Sequence, residues 1–299
     1  MIAIIDGDIL VYQCAFAAQF SVYKELDASG QETGFAYRKK SQAPKDSHTV
    51  PMTVFEDAQK ATDALDSAMA AIIRATKADE ILVFLTEGEC FRHRLTDDYP
   101  DDLKYKGNRK SEKPRYYQLM REILSQKYSA IRVKDYEADD AMSIMHVNYN
   151  ERKIESVICT IDKDLLNTPG RHYNPNSGTF SDISPKVAVK AYMLQILTGD
   201  VADNIKGIKG IGPKKGLKIL DIAGDDTKKW GSLVKDAYRE AFPDDWEKRF
   251  TLSRKLLYIL QRPQKDLTIE MLDQPVLVQG IYLPVNTTSS KSAGNFTSV

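Results

Sequence analysis

The chain has 299 residues, 42% of them hydrophobic and 28% charged, which excludes a disordered polymer and suits one large core with an appended unit, or two ordinary domains. Lys plus Arg and Asp plus Glu each number 42, so no global basic field announces a nucleic-acid partner, and any such partner has to be met by local patches. Cys14, Cys90 and Cys159 form no Cys-x-x-Cys pair, Asp6 and Asp8 interrupt any signal-peptide core, and no run reaches membrane-spanning length; a monomeric protein with buried thiols in a reducing cytoplasm is expected.

Residues 2–5 predict a buried strand and 9–19 a helix, followed by a polar insertion at about 21–51 with the look of a hairpin. Helical spacing returns at 55–75, and the apolar run 81–85 predicts a second strand ending at Thr86-Glu87. A strongly charged stretch, 91–113, leads to Pro114, which suits the first turn of a helix to about Lys127. Residues 130–133 are a third strand, running into Tyr136-Glu137-Ala138-Asp139-Asp140 and a helix to about Asn150. A fourth strand, 156–161, stops at Asp162-Lys163-Asp164, and a hairpin at 171–183 and a helix at 185–197 follow. Strands alternating with helices predict an α/β fold: a mainly parallel central sheet flanked by helices, with a C-terminal helical unit.

In such sheets the working site lies beyond the C-terminal strand ends. Asp6 follows the first strand, Glu87 the second, Glu137 the third, and Asp162 with Asp164 the fourth. Taken singly, each is a turn former or a helix N-cap, and Asp8 stays in that class. Two carboxylates about 4 Å apart repel by roughly 4 kcal/mol at a protein surface, so a set gathered at one sheet edge calls for a cation. Oxygen ligands without a close His or Cys partner favour two Mg2+ ions, with Mn2+ able to substitute, over zinc. Such a pair activates water and clamps the attacking and leaving oxygens of a phosphodiester.

The stretch Gly207-Ile208-Lys209-Gly210-Ile211-Gly212-Pro213-Lys214-Lys215 combines glycines that admit close backbone approach with a helix start whose free amides accept a phosphate. Its lysines add charge without reading bases, so the grip expected on a duplex is independent of sequence. A nucleotide P-loop is excluded, because Pro213 stands where that motif needs lysine. Division at 1–197 (catalytic core), 198–275 (helical unit) and 276–299 (a short strand near 281–283 and a loose tail) is expected.

Asp6-Gly7, Tyr105-Lys106-Gly107-Asn108-Arg109, Glu137-Ala138-Asp139-Asp140, Asp162-Lys163-Asp164 and Gly199-Asp200 through Gly212-Pro213-Lys214, in that order, resemble the 5′-nuclease superfamily of flap endonucleases and 5′-to-3′ exonucleases, above all its compact bacteriophage forms. The resemblance implies that Asp6, Glu87, Glu137 and Asp139 hold one metal, with Asp140 one water away, and that Asp162, Asp164, Asp200 and Asp203 serve a second. It implies Lys106 and Arg109 on a helix over the site, contacting the scissile phosphate, Tyr105 stacking on the terminal base, and Arg92 and Lys110 along the strand's path. Gly207, Lys209, Gly210, Gly212, Lys214 and Lys215 form the implied helix-hairpin-helix grip on duplex DNA, with a K+ ion at main-chain carbonyls near Ile208 and Ile211.

Two departures mark the chain. Glu87 stands where the superfamily has Asp, which leaves Asp97 or Asp98 as other sources of that ligand. The short 109–137 segment leaves room for one helix, so a threading arch is not expected. The implied substrate is DNA with a 5′ end, flap or nick, extending to RNA–DNA hybrids, with a polymerase or single-strand-binding protein as partner. The alternatives are a PIN-type ribonuclease and a structure-specific DNA-binding protein without catalysis.

Overall fold

A computed structural model describes residues 1–100, 103–109 and 111–262. β1 (Ile2–Asp6) and α1 (Gly7–Ala17) lead to β2 (Gln19–Leu26), β3 (Glu32–Tyr37) and β4 (His48–Phe55), so the insertion is a three-stranded antiparallel sheet in the order β3-β2-β4. Then come α2 (Ala58–Thr76), β5 (Glu80–Cys90), α3 (Phe91–Arg94), α4 (Tyr117–Tyr128), β6 (Ile131–Asp135), α5 (Ala138–Glu151), β7 (Ser156–Cys159), β8 (Gly170–Asn174) and β9 (Thr179–Ile183). The central sheet runs β6-β5-β1-β7-β8-β9, parallel except for the β8–β9 hairpin at its edge.

Alternation along the strands explains why the apolar runs are continuous, since both faces are covered. Ala3, Ile5, Val83, Leu85 and Val157 pack on Leu10, Leu65, Met69, Met120 and Leu124 of α1, α2 and α4; Ile2, Ile4, Leu82, Phe84 and Ile158 pack on Ala141, Met142 and Met145 of α5. Gly7 lets α1 start against β5, for a Cβ there would lie 2.5 Å from the Phe84 carbonyl oxygen. Cys14, Cys90 and Cys159 are free and buried. Among the described residues no helix is long and apolar enough to cross a membrane.

The remaining elements are α6 (Pro185–Thr198), the two-residue strands β10 (Gly199–Asp200) and β11 (Ile205–Lys206), α7 (Pro213–Asp221), α8 (Thr227–Ala241) and α9 (Trp246–Leu257). Their core, centred on Ile196, Leu197, Leu220, Trp230, Val234 and Tyr238, also takes in Cys90 and Tyr105. Ile196 and Leu197, at the end of α6, belong to this core. The expected strand at 281–283 and the tail lie outside the described residues, as does Lys110. The α4 helix starts at Tyr117 and not at Pro114, whose carbonyl accepts the Tyr117 amide at 3.0 Å.

Candidate metal centre and nucleic-acid interface

Three strands of the central sheet bring acids to one edge. Asp6 ends β1 and caps α1: its Oδ1 accepts the Ile9 amide at 3.1 Å and its Oδ2 the Thr160 hydroxyl at 2.8 Å. Glu137, two residues beyond β6, is the N-cap of α5, and Asp139 sits in the first turn, where the helix dipole eases its charge. Past β7, Asp162 Oδ1 accepts the Asp164 amide at 2.8 Å, and Asp164 Oδ1 accepts from Gln195 Nε2 at 2.8 Å. The β10–β11 hairpin supplies Asp200 and Asp203 from the other side of the cleft.

Electrostatics records the crowding. Burial, then the charges of Asp8 and Asp162, push Asp6 up to about 7 against its two hydrogen bonds. Burial and the neighbouring Asp162 and Asp200 push Asp164 to about 7 as well. Asp139 is raised well above the carboxylate range by burial and by Asp6, Asp162 and Glu137. Asp162 is raised by burial and by Asp203 and Asp200. Glu137 is the exception: burial opposes its charge, yet Lys106 and Arg92 hold it below its ordinary value.

The basic motif meets these acids directly. Lys106 Nζ pairs with Glu137 and lies 3.8 Å from Asp203 Oδ2, while Arg109 Nη2 donates to Asp203 Oδ1 at 2.6 Å. Both residues stand on a succession of turns and not on the expected helix. Lys106 adopts φ +56° and its amide donates to the Asp203 carbonyl at 3.0 Å, which fastens the motif to the second hairpin. A non-glycine residue in that region holds about 1–2 kcal/mol of strain, and such positions gather at functional sites.

Four of the expected roles are corrected by packing. Glu87 lies inside β5, which continues to Cys90, and its carboxylate is taken by Arg121 Nη2 at 2.8 Å and Arg132 Nη1 at 3.5 Å. Asp97 and Asp98 do not replace it; they are exposed on the turn after α3. Arg92 is fully buried and cannot reach DNA: Nη1 and Nη2 grip Asp140 at 2.6 and 2.8 Å, and its Nε and Nη2 donate to the Leu256 and Tyr258 carbonyls. Asp140, also fully buried, accepts in addition from the Glu137 and Leu260 amides. It is a strut between α5 and the helical unit, with no face left for a metal-bound water. Tyr105 is 4% exposed, and its hydroxyl donates within reach of Glu137 at 2.8 Å and Asp203 at 2.9 Å. Its ring lies edge-on to His93, so it bridges the two halves of the acidic set and offers no stacking face.

Three contributors stand outside the residues expected at the site. Thr160, which orients Asp6 and accepts the Asp162 amide at 3.0 Å, has a weak signal as the start of an ST-turn. Gln195 has none, and Lys163 only its place inside Asp162-Lys163-Asp164; Lys163 Nζ lies 3.6 Å from Asp200 Oδ2.

Among the described residues no group of three or more acidic, His or Cys side chains is closed around one point that could hold an ion. Lys106, Arg109 and Tyr105 are drawn onto Glu137 and Asp203 instead. The donor set nevertheless fits hard divalent cations: all oxygen, mutually repelling, and including a buried Asp200 Oδ2 that has no hydrogen-bond partner.

A second concavity, of about 780 Å3, is lined by Asn108, Val201, Lys206 through Gly212, Phe242 and Arg249. Gly207 is required there, because a Cβ would lie 2.1 Å from the Thr198 carbonyl carbon. Gly210 has φ +80°, and Gly212 caps α7 with Pro213 in its first turn. Lys209, Lys214 and Lys215 are exposed, and among the described residues none of them is ion-paired.

No family model matches the chain. In sequence it is similar to a 5′-3′ exonuclease of Aquifex aeolicus, 28% identical over 165 residues that span 50% of this chain and 53% of that protein. It is also similar to the thermostable DNA polymerase I of Thermus aquaticus, 28% identical over 232 residues, 67% of this chain and 25% of that protein. The chain thus spans about half the length of the exonuclease and about a fifth to a quarter of the polymerases it matches. Among solved structures it is similar to the flap endonuclease of bacteriophage T5 in a pseudo-enzyme–product complex with DNA and metal ions, with a TM-score of 0.50 and 13% identity over 86% of this chain and 98% of that one. That likeness carries the fold alone, a mainly parallel central sheet flanked by helices. The relatives in sequence bear the names 5′-3′ exonuclease and DNA polymerase I, so the resemblance to the 5′-nuclease superfamily, first read from the motifs, holds.

Proposed function

We propose that the protein is a metal-dependent 5′ nuclease that hydrolyses DNA phosphodiesters at a 5′ end, flap or nick and leaves 5′-phosphate products. The observation that carries this reading is the convergence of Asp139, Glu137, Asp162, Asp164, Asp200 and Asp203 on one cleft with Lys106 and Arg109 above them. Asp6, Glu137 and Asp139 would hold one divalent cation, and Asp162, Asp164, Asp200 and Asp203 a second, Mg2+ being the natural ion and Mn2+ a substitute. When bound, such ions supply an activated water and stabilise charge on the attacking and leaving oxygens.

The chain's own side chains do the rest. Lys106 and Arg109, which here countercharge Glu137 and Asp203, are the cations that turn to the scissile phosphate and stabilise its developing charge. Tyr105 holds Glu137 and Asp203 in register. The lysines and amides at Gly207 to Lys215 hold duplex backbone, a K+ ion at the carbonyls near Ile208 and Ile211 completing that loop. DNA replication and removal of RNA primers, beside a polymerase or single-strand-binding protein, are the setting this activity suits.

The test is cleavage of 5′-labelled flap, nicked and blunt duplexes in Mg2+. Wild-type protein is expected to release labelled product, a mononucleotide for end-dependent digestion and a flap-length product for endonucleolytic cutting. Replacing Asp162 and Asp164 together by Asn abolishes it; undiminished cleavage by that variant overturns the proposal.

A further inference from the structure

The insertion sheet and the outer face of α1 have no part in the site above, yet they carry an exposed run of aromatic rings. Tyr12 and Phe16 are 38% and 49% exposed and stack with centroids 6.3 Å apart; Tyr12 lies 5.0 Å from the Tyr117 ring. Phe55, at the end of β4, is 44% exposed. Two cations lie over these rings: Lys113 Nζ 4.4 Å from the Tyr117 centroid and Arg115 Cζ 4.9 Å from that of Phe55. Both are exposed, and among the described residues neither is paired with a carboxylate. The Arg115 amide donates to Gln19 of β2 at 3.1 Å, which fixes the basic segment against the insertion sheet.

The run starts beside the cleft. The Tyr117 hydroxyl is 3.4 Å from Arg121 Nη1, and Arg121 Nη1 reaches Asp8, two residues past Asp6, at 3.1 Å. It then follows α1 outward to β4.

We infer that this strip of Tyr12, Phe16, Phe55 and Tyr117 with Lys113 and Arg115 is a binding surface for single-stranded DNA, taking the unpaired arm of the substrate. Partly exposed rings suit unpaired bases, which stack on any π-surface, while cations without a carboxylate partner suit the phosphates between them; a duplex hides its base faces and gains only the charge. The inference gives the insertion a role and rests on the nuclease reading for its substrate, though binding is measurable without catalysis.

The experiment measures fluorescence anisotropy of a labelled short oligothymidylate and of a labelled blunt duplex, both in EDTA, with wild-type protein, the variant Y12A/F16A and the variant F55A/R115A. The altered side chains are exposed, so the fold is retained, which far-ultraviolet circular dichroism checks. Each variant is expected to bind oligothymidylate about tenfold or more weakly while holding the duplex as wild type does, and Tyr12→Phe with Phe16→Trp is expected to keep wild-type affinity. Unchanged oligothymidylate binding in the alanine variants, or duplex binding by wild type without any oligothymidylate binding, overturns the inference and leaves the nuclease reading standing. Failure of wild type to bind either probe or to cleave any 5′ end overturns both. A dimer in sedimentation velocity that the alanine variants dissolve also overturns it, in favour of self-association through this face.

Discussion

Arg109 donates to Asp203 through Nη2 at 2.6 Å, so a basic side chain proposed for the substrate phosphate is held by a carboxylate proposed for a metal. Lys106 does the same with Glu137. The two sets neutralise each other across the cleft.

Lys106→Ala is therefore expected to lower the single-turnover cleavage rate by about 10²–10³, the usual loss when one preorganised electrostatic donor is removed. Duplex affinity should change little, since the helix-hairpin-helix lysines stay in place. Rapid-quench measurement on a 5′-labelled substrate checks it; a loss confined to affinity would assign Lys106 to binding.

Asp139→Asn removes a buried carboxylate that Asp6, Asp162 and Glu137 repel. At alkaline pH, where this raised carboxyl is forced to ionise, the metal-free variant should be more stable than wild type, with a Tm higher by about 2–4 °C per kcal/mol of relieved repulsion, while cleavage in Mg2+ falls by about a hundredfold or more. Differential scanning calorimetry in EDTA and the cleavage assay, run on the same sample, decide it. A lower Tm would mean that repulsion at Asp139 is already relieved.

Asp6 and Asp164 are raised from 3.8 to about 7 in the folded protein. Between those values the native state binds more protons than the unfolded chain, so their contribution to stability is full below about 4 and is lost as pH rises through about 7. Glu137, which is lowered, opposes this trend only at the acid end of the window. Metal-free protein should melt at a lower temperature at pH 8 than at pH 6. Added Mg2+ should raise Tm more at pH 8, because a cation and protons compete for the same carboxylates. A Tm independent of pH in EDTA would contradict the crowding at the cleft.

Arg92→Ala leaves Asp140 buried without its counter-ion, and breaking such a pair is worth about 3–5 kcal/mol. Urea denaturation should show that loss, while the folded fraction keeps wild-type affinity for duplex DNA. Weakened DNA binding at unchanged stability would restore Arg92 to the interface.

Duplex binding should depend on salt through Lys209, Lys214 and Lys215. Changing any one to Ala is expected to reduce the slope of log affinity against log salt by about 0.9 if that lysine meets a phosphate. Titrations at several NaCl concentrations measure it, and an unchanged slope would place that lysine off the backbone.

The sequence by itself determined the alternation of strands and helices, the acids at the end of β1 and beyond β6 and β7, and the Gly-Pro-Lys stretch that starts α7. These are local properties: an apolar run with a turn former at its end places a residue at a strand terminus whatever lies around it. Only the tertiary structure decided what each charge touches. Glu87 looked like another strand-end acid, but β5 runs on past it and Arg121, 34 residues away, takes its carboxylate. Arg92 looked like a substrate cation, but Asp140, 48 residues away, and the Leu256 carbonyl, 164 residues away, draw it inside. Tyr105 looked like a stacking ring and became the bridge between Glu137 and Asp203. Spacing along the chain carries no term for such distant partners, and the free energy of a buried charge depends almost wholly on the group packed against it.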